Sequence, residues 1–148
     1  MRVVLQRVAR AAVGVDGSHV SEIGRGYLLL VGIGRNDADD EVGRMAEKVF
    51  HLRVFADEEH KMNRSLSDVG GEVLVVSQFT LYADVRKGRR PAWADAAEPA
   101  VAAERVEAFA RAMEARGASV ARGVFGAHMQ VELLNDGPVT LVLDAADL

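Results

Sequence analysis

Cysteine is absent from the 148-residue sequence, aromatic residues make up 5%, and no apolar run is long. The missing cysteine excludes disulfide bonds, thiolate-held zinc or iron–sulfur sites, and cysteine nucleophiles. A membrane-spanning helix needs about 20 consecutive apolar residues, and the longest apolar run here, near 27–31, is far shorter. Charges at Arg2 and Arg7 interrupt the apolar core that a signal peptide requires. We therefore expect a cytoplasmic protein without a membrane partner.

The chain also lacks an excess of positive charge and the high proline and glycine content of a low-complexity chain. It has 3 prolines and 14 glycines, and its formal net charge is −4. Proteins that bind nucleic acid through bulk charge are normally basic, so we expect no DNA partner, and any RNA contact must use a local basic patch. The length fits one domain, which we predict to span residues 1–148.

The spacing of apolar residues predicts strands and two helices in the order β-β-β-α-β-α-β-β. An apolar face with helical spacing runs through residues 36–50, for which Asp37 is a candidate N-cap. A second helix is predicted to begin at Pro99 and to end before Gly117. Because strands and helices do not alternate strictly, we predict an α+β fold with a curved, mostly antiparallel, barrel-like sheet and two main helices.

Several common catalytic sites are missing from the sequence. The four histidines show no close pairing and no zinc-binding pattern, so we expect no metal. Gly32 and Gly34 follow a predicted strand, but Asp37 stands where a dinucleotide-binding loop needs its third glycine, and its charge would repel a pyrophosphate. No serine occupies a nucleophile elbow. We therefore expect no cofactor.

Polar side chains follow a predicted buried strand at Val73–Val76. Ser77, Gln78 and Thr80 stand where the end of a strand leaves polar groups and backbone amides free to face a ligand. A strand end capped by an ST-turn would have the same composition. The residues alone leave both interpretations open.

A basic run follows shortly after this segment. Arg86, Lys87, Arg89 and Arg90 are cationic in a chain of negative net charge, and Trp93 stands just beyond them. Charge runs are usually solvated loops. Cations beside a possible binding site instead favour an anionic partner such as phosphate.

A third unusual segment is Asn135–Thr140. Its Asn-Asp-Gly start is typical of a hairpin turn, but Pro138 removes a backbone donor where a strand should resume. The Gly137–Pro138 bond is also a candidate for the cis form. The chain has only two threonines, Thr80 and Thr140, and each lies in one of these two unusual segments.

The two segments resemble the signature motifs of the D-aminoacyl-tRNA deacylases of bacteria and eukaryotes, the D-tyrosyl-tRNA deacylase family. The motifs here are Ser-Gln-Phe-Thr-Leu at 77–81 and Asn-Asp-Gly-Pro-Val-Thr at 135–140. The sequence is also similar to the family in its opening at 6–8, in a middle loop at 61–63 and in a strand at 125–131. The resemblance covers essentially the whole chain.

The resemblance implies an enzyme that hydrolyses the ester joining a D-amino acid to the 3′-terminal adenosine of tRNA. It implies a homodimer in which a cis Gly137–Pro138 bond of one subunit inserts into the site of the other. Backbone amides of the first motif would receive the adenosine and the reacting carbonyl. The implied site residues are Ser77, Gln78, Phe79 and Thr80 for catalysis, and Gly137, Pro138, Arg7, Phe125 and Met129 for substrate binding and chirality.

The first motif shows no general base, since no His, Lys or Asp flanks Thr80 more closely than Asp84. We therefore favour hydrolysis assisted by the terminal 2′-hydroxyl of the tRNA, with backbone amides stabilising the oxyanion. A Thr80 nucleophile is the competing hypothesis. If an L side chain is excluded by steric clash, glycyl-tRNA should also be hydrolysed. We expect the basic run to bind tRNA phosphates.

Two other functions stay open. A related group of editing enzymes, whose Gly-Pro bond is trans, removes L-alanine from mischarged tRNA. A non-catalytic tRNA-binding module would keep the basic run but would have no need of Gly137 and Pro138. Arg7 and the intact first motif favour the D-specific interpretation.

Overall fold

The computed structural model describes residues 1–148 and shows eight strands and two α-helices. The strands are β1 (Arg2–Val15), β2 (Ser18–Ile23), β3 (Gly26–Gly32), β4 (Phe55–Ala56), β5 (Met62–Arg64), β6 (Glu72–Ser77), β7 (Ser119–Arg122) and β8 (Met129–Asp144). The helices are α1 (Asp39–His51) and α2 (Pro99–Ala115), and 3₁₀ turns span Phe79–Tyr82 and Ala145–Asp147. The predicted order omits the short hairpin β4–β5 and strand β7, and it divides β8 into two strands.

The main sheet is organised around β1. This strand pairs antiparallel with β3 through its first half, with β2 through its second half and with β8 along most of its length. β6 lies parallel to both β3 and β7. The Ser21 hydroxyl of β2 donates a hydrogen bond to the Arg122 carbonyl of β7 at 2.7 Å, which brings the two ends of the sheet together. The predicted α+β fold with a curved, mostly antiparallel, barrel-like sheet is confirmed.

Two apolar cores cover the two faces of β3, as its nearly continuous apolar run predicts. Tyr27 and Leu29 belong to the larger core with both helices, whereas Leu28 points to a smaller core on the other face. The predicted apolar face of α1 is buried throughout, in residues Val42, Met45, Ala46, Val49 and Phe50. Burying a valine, methionine or phenylalanine side chain contributes about 1.5–3 kcal/mol to folding. Neither helix is long and apolar enough to cross a membrane.

The two helices differ in how they begin. α2 begins at Pro99 as predicted, and Gly117 follows its end with a φ of 101°, a conformation that favours glycine. α1 begins at Asp39 without a side-chain cap, so the prediction that Asp37 caps this helix is wrong. The Asp37 carboxylate instead accepts a hydrogen bond from Gly34 N at 2.6 Å, just after the chain leaves β3. This carboxylate is therefore engaged before the helix begins.

β8 is one strand with a bulge at the Asn-Asp-Gly-Pro segment. Gln6 of β1 pairs with Thr140 and Val8 pairs with Asn135, so the residues between them loop out of the ladder. The structure contains no cis peptide bond, so the predicted cis form of Gly137–Pro138 is wrong for this chain. Trans is the more stable isomer of such a bond by about 0.5–1 kcal/mol, and the bulge accommodates it with Gly137 at a φ of 125°.

Candidate active site

The first candidate segment lies where β6 leaves the sheet. Gln78 N donates a hydrogen bond to Val31 O at 2.8 Å, which extends the contact between β6 and β3 by one residue. The chain then enters the 3₁₀ turn at Phe79–Tyr82. The first N–H groups of a helical turn have no acceptor inside the turn. The amides of Phe79 and Thr80 are therefore available to a ligand.

The Thr80 hydroxyl is exposed and accepts a hydrogen bond from the Gln78 side-chain amide. An amide nitrogen of this kind cannot take a proton from the hydroxyl. The nearest flanking acid, Asp84, is bound by the Arg86 guanidinium at 2.9 and 2.7 Å. These hydrogen bonds from Arg86 hold the pKa of Asp84 well below its usual range, which makes it a weak base. The segment therefore offers Thr80 no general base.

A cavity of about 390 Å³ opens beside the segment. Its lining includes Ser77, Gln78, Phe79 and Phe125 together with the start of α2. Phe79 packs edge-on against Trp93, which also lines the cavity, with the ring centroids 5.0 Å apart. Small-molecule sites measure about 300–1,000 Å³, and aromatic rings in an apolar lining suit a nucleobase.

The second candidate segment lies outside this cavity. Asp136, Gly137 and Pro138 are exposed on the bulge of β8. Arg7, whose side chain is only 12% exposed, donates hydrogen bonds to Asp136 O at 3.0 Å and to Val54 O. A Cβ atom on Gly137 would collide with the Arg7 guanidinium. Arg7 thus fixes the base of the bulge, while none of these residues lines the cavity of its own chain.

Only some of the predicted site residues line the cavity. Thr80 follows the cavity wall in the 3₁₀ turn without being part of the lining. Met129 lies apart: its sulfur accepts a hydrogen bond from Val124 N at 3.3 Å, and its side chain packs against the smaller core. The predicted site residues that line the cavity are Ser77, Gln78, Phe79 and Phe125.

The basic run forms an exposed loop. Two backbone hydrogen bonds between Asp84 and Ala92, at 2.8 and 2.9 Å, close its base. Arg86 braces the loop through its ion pair with Asp84. Trp93 follows directly and lines the cavity, so the loop lies next to the candidate site. The loop cations that form no ion pair within the chain are Lys87, Arg89 and Arg90.

Sequence reasoning missed two charged residues that line the cavity, Arg35 and Glu98. Arg35 follows the end of β3, and Glu98 immediately precedes α2. They come to the same cavity because Gly34 pairs with Ala96, a contact between distant segments that no local pattern indicates. No group of three or more His, Asp or Glu side chains that could hold a metal ion is present.

The structure thus places two backbone amides without an acceptor in the 3₁₀ turn, beside a cavity with aromatic side chains in its lining. The chain belongs to the D-Tyr-tRNA(Tyr) deacylase family, whose sequence model matches residues 4–144. The family resemblance carried by the two motifs is thereby confirmed.

Individual relatives match over nearly their full length. A D-aminoacyl-tRNA deacylase of Thermomicrobium roseum is 60% identical over 148 residues, which cover 100% of this chain and 96% of the relative. One of Roseiflexus castenholzii is 58% identical over 146 residues, 99% of this chain and 93% of the relative.

Solved structures are similar too. One named c-Myc DNA Unwinding Element Binding Protein superposes with a TM-score of 0.91 at 41% identity, over 97% of this chain and 98% of that one. A second, described as a probable eukaryotic D-amino acid tRNA deacylase, has a TM-score of 0.78 at 20% identity, over 96% and 97% of the two chains, and shares the fold.

Proposed function

We propose that this chain hydrolyses the ester between a D-amino acid and the terminal adenosine of tRNA. The observation that carries the proposal is the pair of free amides at Phe79 and Thr80 beside an aromatic, apolar cavity. Membership of the deacylase family, and relatives of 58% and 60% identity that bear this activity in their names, support it. Because charged tRNA is the substrate, we place the enzyme in the cytoplasm.

The chemistry needs little from the side chains, because an aminoacyl ester is already activated. The amides of Phe79 and Thr80 would hold the developing oxyanion, and one such donor lowers the barrier by about 3–4 kcal/mol. The 2′-hydroxyl beside the ester would orient or activate the attacking water, since the segment holds no base. A tRNA ending in 2′-deoxyadenosine should then be hydrolysed at least about 100-fold more slowly. Unchanged hydrolysis of this substrate would contradict the assisted mechanism.

A homodimer would complete the site. Gly137 and Pro138 are exposed and lie outside the cavity of their own chain. We infer that the bulge of a second copy reaches the cavity, where its backbone would contact the α-ammonium and leave no room for an L side chain. Leu134 and Val142 of the same strand, 54% and 75% exposed, offer apolar surface for such an interface. Light scattering should give about twice the chain mass of 15.9 kDa, and a fully active monomer would contradict the dimer.

The decisive experiment is a deacylation assay on D-tyrosyl- and L-tyrosyl-tRNA with limiting enzyme. We expect rapid cleavage of the D ester and none of the L ester. Glycyl-tRNA should also be cleaved, because a filter that works by clash with an L side chain has nothing to act on when Cβ is missing. Cleavage of D-alanyl-tRNA without glycyl-tRNA would show instead that the D side chain is recognised by attraction.

One observation favours a second function, the removal of L-alanine from mischarged tRNA. The Gly137–Pro138 bond is trans, and a trans bond is the expectation for that related group of editing enzymes. The names of the relatives favour the D-specific activity instead. L-alanyl-tRNA in the same assay separates the two, since its preferential cleavage would replace the proposal. Binding of tRNA without cleavage of any ester would identify a non-catalytic module.

A further inference from the structure

Arg35 is the one cationic residue that lines the cavity. Its guanidinium forms no ion pair and no hydrogen bond within the chain, and the residue is exposed. Its backbone is fixed, because Arg35 N donates a hydrogen bond to Asp95 O at 2.9 Å and the preceding Gly34 pairs with Ala96. A cation without an internal partner, held on a rigid backbone at a mainly apolar cavity, indicates an anionic group on the ligand.

The position of Arg35 relative to the candidate amides is set by neighbouring strands. Arg35 follows β3, and Val31 of that strand accepts the hydrogen bond from Gln78 N at 2.8 Å. Arg35 and Phe79 therefore line the same cavity, and they follow adjacent strands of the sheet. Glu98 is the other charged lining residue, and it forms no ion pair with Arg35. The Arg35 guanidinium thus has no direct ion-pair partner among the residues of the cavity lining.

We propose that Arg35 binds the phosphodiester that joins the terminal adenosine of the substrate to the preceding nucleotide. The inference rests on the proposed placement of the adenosine in this cavity. The 5′ phosphate is the only anionic group that the terminal nucleotide carries, and a guanidinium can donate two parallel hydrogen bonds to phosphate oxygens. The free cations of the basic loop do not line the cavity, so they would meet phosphates further along the tRNA.

The test compares two small substrates, the D-alanyl ester of adenosine and the D-alanyl ester of adenosine 5′-(methyl phosphate). The second carries the single charge of a phosphodiester. Wild-type enzyme should show about a tenfold lower KM for the phosphate-bearing ester, as expected for one charged hydrogen-bonded contact, with little change in kcat. Arg35→Ala should remove this advantage, so that its KM values for the two esters become equal, whereas Arg35→Lys should keep part of the advantage.

Two control variants separate a local contact from the overall charge. Arg53→Ala removes another exposed cation that forms no ion pair and does not line the cavity, so this variant should keep the full advantage. Glu98→Gln removes the negative charge of the cavity. This variant should keep or increase the advantage of the phosphate-bearing ester. The assignment is overturned if wild-type enzyme shows no advantage, if the advantage survives Arg35→Ala, or if Arg53→Ala loses as much.

A binding measurement distinguishes this inference from the proposed reaction. Trp93 is the only tryptophan and lines the cavity, so its fluorescence reports on ligands that are not hydrolysed. Adenosine 5′-(methyl phosphate) should bind about tenfold more tightly than adenosine to wild-type protein and equally to Arg35→Ala. If this pattern holds while neither ester is cleaved, the proposed reaction fails and the phosphate contact stands. If both esters are cleaved without this pattern, the phosphate contact fails alone.

Discussion

The 3₁₀ turn at Phe79–Tyr82 and the bulge at Asn135–Pro138 carry the two motifs, and they differ in what surrounds them. The turn borders a cavity that one chain forms by itself, and its amides are positioned by the hydrogen bond between Gln78 and Val31. The bulge is exposed, and the chain supports only its base, through Arg7. The turn therefore lies beside a cavity that can hold a ligand. The bulge has a defined conformation but borders no cavity of its own chain.

This difference explains why two motifs so far apart in sequence can serve one site. Donors that stabilise charge are effective when their positions are fixed before the substrate arrives, which pairing of β6 with β3 provides within a chain. A group that selects by exclusion needs only a rigid surface, and a second copy can supply it. The proposed dimer therefore assigns polarisation to the turn and chiral selection to the bulge.

The largest expected effect comes from removing one amide of the turn. Phe79→Pro deletes the N–H at the first position of the turn, where proline is tolerated, and Gln78, at φ −144° and ψ 75°, lies outside the α region as a residue before proline should. We expect kcat on D-aminoacyl-tRNA to fall by about 10²–10³. Phe79→Ala is the matched control, because it loses the ring and keeps the amide. Equal activities of the two variants, both folded by circular dichroism, would contradict the role of this amide.

The next effect comes from the bulge. Gly137→Ala places a Cβ against Arg7 at a φ of 125°, a strain on the order of 1–3 kcal/mol, so we expect about tenfold lower activity and weaker discrimination against L esters. Gly17→Ala has the same kind of strain, at a φ of 77°, with nothing within 4 Å. This control variant should leave both the activity and the discrimination against L esters unchanged. The measurement is kcat/KM for D- and L-tyrosyl-tRNA.

Mixing the two damaged chains decides whether the bulge acts on its own subunit or on the partner. A heterodimer of Phe79→Pro and Gly137→Ala contains one site with an intact turn and an intact bulge only if the bulge works across the interface. Activity of the mixture, after the subunits exchange, should then exceed that of either variant alone. No gain, despite exchange shown by mass spectrometry, would mean that the turn and the bulge of one chain serve the same site.

The parts of this arrangement that could be predicted are those fixed by local pattern. Alternating and helical spacing identified the buried strands and the face of α1, and polar residues at the end of β6 indicated the turn. Arg35 was missed because its place depends on Gly34 pairing with Ala96. Asp37 looks like an N-cap in sequence, yet Gly34 N and the N-terminal amine of Met1 occupy its carboxylate. The sequence also did not predict that the two motifs lie apart within one chain. A motif identifies residue types and their order along the chain, and it contains no information on distances in space.

A smaller effect is expected from the basic loop beside the turn. Replacing Lys87, Arg89 and Arg90 by Ala, while keeping Arg86 to brace Asp84, should raise KM several-fold. The salt dependence of KM should also weaken, by a slope of about 0.7 for each single-strand phosphate that the loop no longer neutralises. A variant that removes Lys48 and Arg53, which do not line the cavity, should change neither. An unchanged salt slope in the loop variant would show that the loop does not bind the tRNA.

The smallest expected effect is that of Thr80→Ala, although Thr80 lies in the turn itself. Its hydroxyl is exposed and contacts only the Gln78 side chain, so the loss amounts to one neutral hydrogen bond of about 0.5 kcal/mol, or about two- to threefold in kcat. A nucleophilic threonine would make the same variant inactive and would pass through an acyl-enzyme. Quenched mass spectrometry of wild-type enzyme during turnover should therefore find no aminoacyl adduct on Thr80. An adduct on Thr80, or a folded but inactive Thr80→Ala variant, would show that the Thr80 hydroxyl is the nucleophile. The backbone amides would then only assist that attack.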